Sequence, residues 1–485
     1  MTIRDLEPKT VWNYFYEITQ VPRPSKKETK IIQYIEEVAR KNQLAIQKDK
    51  VGNLLLFKPA TKGLEALPTV VLQAHLDMVC EKNNDVAFDF DKDSIQTVVD
   101  GEWLHARGTT LGADNGIGVA AALAVITSDK VEHGPVECLF TVDEETGLTG
   151  ANALKKGFFT GDILLNLDSE DEGELFIGCA GGKGTTATFT YNAIPAPASY
   201  KYFRITVTGL NGGHSGGDIH RGLGNANKIL ARFLYQLQEN YPFCLAEIHG
   251  GNLNNAIARE AYAVVGASSR LKEQIRVQLN QFIADIENEL KHVDPNVKMI
   301  MESVEVPKKC VPQSLKRKLI HSLLACPHGV KSMSHEIEGL VETSTNLASI
   351  KMEGSKKIVI VTSQRSSVES AKNAIADQVA AVFCLAGAKV KQGDGYPGWA
   401  PDTNSKILNI AQKSYRKLFG KEAQIKAIHA GLECGLFLEK YPRLDMISFG
   451  PTMRNVHSPD ERLEIKTVDL WWQHLLDILK NIPPK

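Results

Sequence analysis

The sequence predicts an α/β protein: a three-layer domain on a mostly parallel sheet, interrupted by an inserted α+β domain. Three observations predict this. At 485 residues the chain exceeds what one hydrophobic core usually supports. Short, nearly continuous apolar runs alternate with stretches of helical periodicity, the pattern of a parallel sheet covered by helices. Near "YNAIPAPASYKYF" a Pro/Ala-rich link changes the texture to strands with cleaner polar–apolar alternation.

Taken in order, "TVWNYFYEITQ" and "ETKIIQYIEEVARKNQ" carry apolar residues at helical spacing. "TVVLQAHLD" is a β-branched run expected to be buried on both faces, "GIGVAAALAVITSD" a small-residue apolar helix, and "VECLFTVDEE" and "DILLNLDS" two further buried strands. The expected insertion holds "KYFRITVTG", the helix "GNANKILARFLYQLQEN", paired strands, the helix "LKEQIRVQLNQFIADIENELK", and the strand–helix pair "SKKIVIVTSQ" and "ESAKNAIADQVAAVFCLAG". This order suggests two related modules, although no sequence repeat connects them. "GYPGWAP" marks the return, followed by an amphipathic helix, the buried strand "DMISFG" and the closing helix "DLWWQHLLDILKNI". The boundaries expected are 1–190 with 395–485 for the first domain and 191–394 for the insertion.

Composition narrows the function classes. Hydrophobic content of 43% with 23% charged residues is that of a folded globular chain. A net charge of −1 offers no electrostatic footprint for nucleic acid or an anionic membrane, and no apolar stretch is long enough to span a bilayer. The opening "MTIRDLEPKT" lacks the basic and apolar regions of a signal peptide, and the 8 cysteines show no Cys-x-x-Cys pair. A cytoplasmic protein with reduced cysteines is expected. "GCAGGKGTT" has the wrong spacing for a phosphate loop.

The chemistry gathers where apolar runs end. His75 and Asp77 stand two apart at the end of the first buried strand, so both side chains project to one face. Asp114 opens the apolar helix, Glu144 and Glu145 end the next strand, Asp168 ends "LLNLD", and His457 follows the last strand. In an open α/β sheet these strand ends share one crevice. A lone buried histidine is most often structural, and an acidic triplet such as Asp143–Glu145 is most often a solvated loop. Two His and three carboxylates converging on one crevice instead match a two-metal site with N and O ligands.

In that order, "HLDMV", "GADNGIG", "DEETG", "NLDSEDEG" and "HSPDE" resemble the M20 family of dinuclear zinc peptidases and deacylases. "HARGTTLGADNGIG", "GGHSGGDIH", "GLGNANK", "GYPGWAPD" and "HAGLECGLF" narrow the resemblance to its aminoacyl-histidine dipeptidase branch, over essentially the whole chain. The resemblance implies a zinc-peptidase-like catalytic domain with an inserted lid, two Zn²⁺ per chain (replaceable by Mn²⁺ or Co²⁺), and hydrolysis of Xaa-His dipeptides such as β-alanyl-histidine. It implies that Asp114 bridges the metals, with His75 and Asp168 on one and Glu145 and His457 on the other. Asp77 orients His75, Glu144 is the general base, and Asp143 is structural. His214 donates to the substrate carbonyl, while Asn255 and Arg365 grip the C-terminal carboxylate. Gly431 and Glu433 line the pocket, Glu433 being one of three candidates, with Asp77 and Glu144, to receive the free N-terminus. Tyr396 and Trp399 are expected to pack at the junction of the domains. A cis bond between Asp114 and Asn115 and a homodimeric assembly are also implied. Two other readings stay open: an M20 deacylase of N-acyl amino acids, and a metal-dependent binding protein without turnover.

Overall fold

The structure, a computed structural model, describes residues 2–484 and divides into two compact units. The first comprises the described residues up to 178, 401–427, and the described residues from 432 on; the second comprises 179–400 and 428–431.

The first unit is built on an 8-stranded sheet in the order Ala45–Lys48, Leu54–Lys58, Val136–Thr141, Val70–His75, Ile163–Asn166, Asp445–Ser448, Glu174–Cys179 and Gln424–Ile428. Its four central strands, from Val136–Thr141 to Asp445–Ser448, run parallel, and antiparallel strands flank them. Val70–His75 and Val136–Thr141 are buried at every position, which is why their sequences read as unbroken apolar runs. The helix Ala113–Ile126 is buried at every residue but Asp114. A helix apolar all round belongs inside a protein, and its Gly and Ala residues permit close approach to the sheet. A second, 4-stranded sheet joins Met453–Arg454 and Arg462–Glu464 to Trp103–Ala106 and Thr97–Asp100, and this fixes the loop that carries His457.

One expectation is corrected here. The strand leading to Glu144 and Glu145 stops at Thr141, and both residues lie in the helical turn Glu144–Gly147. Asp143 turns the chain in a left-handed conformation, φ 50° and ψ 50°. Its carboxylate accepts hydrogen bonds from the hydroxyls of Thr146 and Thr149, and its N–H donates to Glu28. Asp tolerates this conformation because a short polar side chain bonds back to the local backbone and its neighbours.

The second unit holds a 9-stranded antiparallel sheet with a repeated plan. Tyr200–Thr208, Cys244–Gly250, Ala261–Ser268 and Lys298–Val304 lie in the spatial order fourth, first, third, second. Gly181–Thr190, Val341–Glu353, Lys357–Ser366 and Lys389–Gln392 lie in the same order. The two halves meet through their second strands, at Gly250 and Ile350. The helices Ala226–Asn240, Lys272–Leu290, Gln313–Ala325 and Glu369–Leu385 pack their buried residues, among them Phe233, Phe282, Leu319 and Phe383, into one core with the strands of both halves.

Candidate metal centre

In the first unit, the ends of the central strands and the start of the buried helix bring five predicted ligands together. Asp114 stands in the middle. Its Oδ1 is 3.1 Å from His75 Nε2 and its Oδ2 is 3.1 Å from His457 Nε2. On the His75 side, Asp168 Oδ1 is 3.5 Å from the same Nε2; on the other, Glu145 Oε2 is 3.0 Å from His457 Nε2. The Asp114–Asn115 peptide bond is cis, and both residues depart from helical geometry. Asp77 lies behind His75, with Oδ1 3.4 Å from Nδ1, the ring nitrogen facing away from Asp114. A carboxylate there fixes the tautomer and orientation of a ligating imidazole.

The electrostatics of this cluster call for positive charge. Burial opposes a charge on His75, yet Asp168, Asp114 and Asp77 together push its imidazole well above the ordinary range. Hydrogen bonds to Asp114 and Glu145 push His457 up to about 11. Burial raises Asp168 to about 6 and drives Glu144 well above its ordinary value; Asp168, Glu433 and Glu145 add repulsion at Glu144. Glu145 Oε1 is buried without a hydrogen-bond partner. Candidate donor atoms of His75, Asp114 and Glu145 all lie within 4.8 Å of one another. Imidazole nitrogens and carboxylate oxygens around one shared aspartate fit two divalent cations, with His75 and Asp168 to one side and Glu145 and His457 to the other.

Asp77 has no spare acceptor capacity of note. Its Oδ1 takes the N–H of Glu144 at 3.0 Å, and its Oδ2 takes the Glu145 N–H at 3.2 Å and the Ser25 hydroxyl at 2.8 Å. Burial alone would raise this carboxyl, but the bonds to His75 and these donors hold it at about 2.

Glu433 is 1% exposed and ends a polar row running through the buried sheet. The Ser448 hydroxyl donates to Asn166 Oδ1, Asn166 Nδ2 donates to Gln73 Oε1, and Gln73 Nε2 donates to Glu433 Oε2 at 2.6 Å. The Thr141 hydroxyl adds a second donor to Oε2, at 2.8 Å. Gln73, Asn166 and Ser448 are in register on neighbouring parallel strands. Burial pushes the Glu433 carboxyl up to about 7, and its Oε1 has no partner. Of this row the sequence motifs single out Glu433 but not Gln73, Asn166 or Ser448. Its signal is a polar letter inside an apolar run, in "VVLQAH" and "ILLN".

The second unit gathers the remaining predicted residues. His214 Nδ1 accepts the backbone N–H groups of Gly216 at 3.3 Å and Gly217 at 3.0 Å. With Nδ1 accepting, the ring hydrogen sits on Nε2; burial and the nearby Arg365 lower the pKa of the imidazole. Asn255 is exposed beside it, its backbone carbonyl taking the Ser215 N–H at 2.8 Å. Arg365 is buried; Nη1 donates to the Tyr396 hydroxyl at 2.9 Å, and Nε has no partner. Tyr396 therefore orients Arg365, a role its sequence context did not reveal. Trp399 is buried and pairs with Cys179 through backbone hydrogen bonds.

The family model described as peptidase family M20/M25/M40 matches residues 71–481, a span that contains every ligand named above. The chain belongs to peptidase family M20/M25/M40. It is 43% identical over 483 residues to the cytosol non-specific dipeptidase of Escherichia coli, covering 100% of this chain and 99% of that protein. It is similar to the crystal structure of aminoacylhistidine dipeptidase from Vibrio alginolyticus, with a TM-score of 0.93, 43% identity, and coverage of 100% of this chain and 99% of that one. A tripeptidase from Staphylococcus aureus shares the fold, with a TM-score of 0.58 at 17% identity. Among the described residues, no helix is long and apolar enough to cross a membrane.

Proposed function

We propose that this chain is a cytosolic dinuclear zinc dipeptidase that hydrolyses Xaa-His dipeptides, β-alanyl-histidine included. The observation that carries the reading is the Asp114 carboxylate held between His75 and His457, each 3.1 Å away, with Asp168 and Glu145 flanking them. The whole-length likeness to two dipeptidases supports the substrate class. A bound zinc pair supplies Lewis acidity and a nucleophile at neutral pH.

The chain's own residues do the rest. Glu144, beside the ligand Glu145 in the same helical turn, takes a proton from the attacking water onto its carboxylate and returns it to the leaving amine. Asp77 orients His75. His214 offers Nε2–H to the oxygen that becomes negative in the transition state. Arg365, with its unpaired Nε, and Asn255 hold the C-terminal carboxylate. Of the three carboxylates proposed for the free N-terminus, Asp77 is already saturated by donors and Glu144 is committed to proton transfer. Glu433 is left, with Oε2 anchored and Oε1 unpaired. A carboxylate there prefers an ammonium to an acylated nitrogen, which separates a dipeptidase from a deacylase.

The test is a substrate panel. Unblocked Xaa-His dipeptides are expected to turn over, with tripeptides and N-acetyl amino acids cleaved poorly. Faster turnover of N-acetyl amino acids than of any unblocked dipeptide would replace this reading with the deacylase one, and no turnover of either by metal-loaded protein would leave only the binding protein.

A further inference from the structure

The motif "HSPDE" contributes more than His457. Its glutamate, Glu461, is 2% exposed and accepts four successive backbone N–H groups. Leu111 and Gly112 donate to Oε2 at 2.7 and 2.9 Å; Ala113 and Asp114 donate to Oε1 at 2.8 and 3.3 Å. These are the amides at the start of the helix Ala113–Ile126. Ordinarily a local Ser, Asn or Asp caps one or two of them. Here the cap comes from the far end of the chain.

The same loop is gripped by a buried cation. Arg23, also 2% exposed, donates through Nη2 to Gly112 O, and through Nη1 to Leu76 O at 3.0 Å and Asp77 O at 2.7 Å. It therefore ties the Asp114 loop to the strand end that carries His75 and Asp77. Gly112 sits at φ +70°, and a Cβ there would lie 2.6 Å from Arg23 Nη2. At Gly116 a Cβ would lie 2.7 Å from the same atom. The two glycines of "GADNG" make room for the guanidinium.

We propose that Glu461, braced by Arg23, is a positioning residue that aims Asp114 at both cation positions; this rests on the two-metal reading of the site. Glu461 satisfies the amides from Leu111 to Asp114, so the loop is held without help from the Asp114 carboxylate, which is left to face His75 and His457. Burying a carboxylate and a guanidinium is costly unless each is fully bonded, and a helix cap alone needs neither.

The experiment is a Co²⁺ titration of the full-length, chelator-stripped protein, following the visible bands of bound Co²⁺ against a competing chelator. The melting temperature of the metal-free protein is recorded in parallel. Glu461→Gln keeps the volume but sets an NH₂ group against two N–H donors. It is expected to weaken Co²⁺ binding by about 10–100-fold and to change the spectrum, the usual size for a group supporting a metal ligand. Glu461→Asp restores part of the affinity. Arg23→Lys keeps the charge, loses the fork of contacts, and weakens binding by about 10-fold. A folded Glu461→Gln protein with wild-type affinity and spectrum overturns the proposal, even if its melting temperature falls. If that variant does not fold, unchanged affinity in Arg23→Lys overturns it instead. Absence of Co²⁺ binding by the wild type would refute the two-metal reading itself, and with it this inference.

Discussion

Glu144 and Glu145 are neighbours in one helical turn with different expected work, so exchanging each for glutamine separates proton transfer from metal retention. Glu144→Gln preserves the backbone N–H that Glu144 donates to Asp77 and removes only the ionisable carboxyl. Loss of a general base lowers turnover by about 10²–10⁴-fold, or about 2.7–5.4 kcal/mol of barrier at 1.36 kcal/mol per decade. Two metals per chain are expected to remain. Burial, with Asp168, Glu433 and Glu145 nearby, disfavours a charge on Glu144, so a neutral glutamine should leave the metal-free protein no less stable than the wild type. Glu145→Gln acts elsewhere. Its Oε2 lies 3.0 Å from His457 Nε2 and its Oε1 is a buried oxygen with no partner, so an amide there removes a charge where two lone pairs are needed. It should lose one metal. The assays are steady-state hydrolysis of β-alanyl-histidine and elemental analysis of protein dialysed against metal-free buffer. Equal metal loss in the two variants, or Glu144→Gln turnover within tenfold of wild type, would refute the division of roles.

Other outcomes follow from individual contacts. Glu433→Gln should reduce kcat/KM for unblocked dipeptides by about 10–150-fold, the worth of a charged hydrogen bond of about 1.5–3 kcal/mol, and leave that for N-acetyl amino acids much less affected; parallel kinetics on both substrate classes check this. Gly112→Ala forces a Cβ against Arg23 and should destabilise the protein by about 1–3 kcal/mol, read from urea unfolding. His474 packs against Tyr415 and Phe449, and burial holds its imidazole down at about 4. The unfolded chain, with an ordinary value of about 6.5, therefore takes up the proton first. Stability is complete above that value and falls as pH drops towards the folded one, by about 2 kcal/mol from pH 7 to pH 5 for this residue. His474→Leu should remove that part of the slope in urea midpoints measured at the two pH values.

Much of the first unit is legible in the chain because burial on both faces leaves an unambiguous mark. The strands Val70–His75 and Val136–Thr141 read as continuous apolar runs, and their ends point to His75 and the acidic turn that follows. The turn itself departs from the pattern. Periodicity carries "TVDEE" forward as strand, whereas a left-handed Asp143 bonded to Thr146 and Thr149 breaks the strand early. Pairings across long sequence separations leave no local trace. Nothing near Glu461 announces that it caps a helix some 350 residues earlier, and nothing near Arg23 announces three carbonyls from two other segments. The shared strand order of the two halves of the second unit is likewise invisible, because a first strand and its helix are separated by an entire inserted half. Fold order is set there by hydrogen-bonded registers, which many different sequences satisfy.

The paired metal centre on Asp114 is tested most directly by anomalous diffraction at the zinc edge, on crystals of protein purified without chelator. Two peaks about 3.5–4 Å apart are expected, one on each side of the Asp114 carboxylate, the first bounded by His75 and Asp168 and the second by Glu145 and His457. No anomalous density at this cluster in zinc-supplemented crystals, or a single ion that leaves Asp114 unbridged, would contradict it.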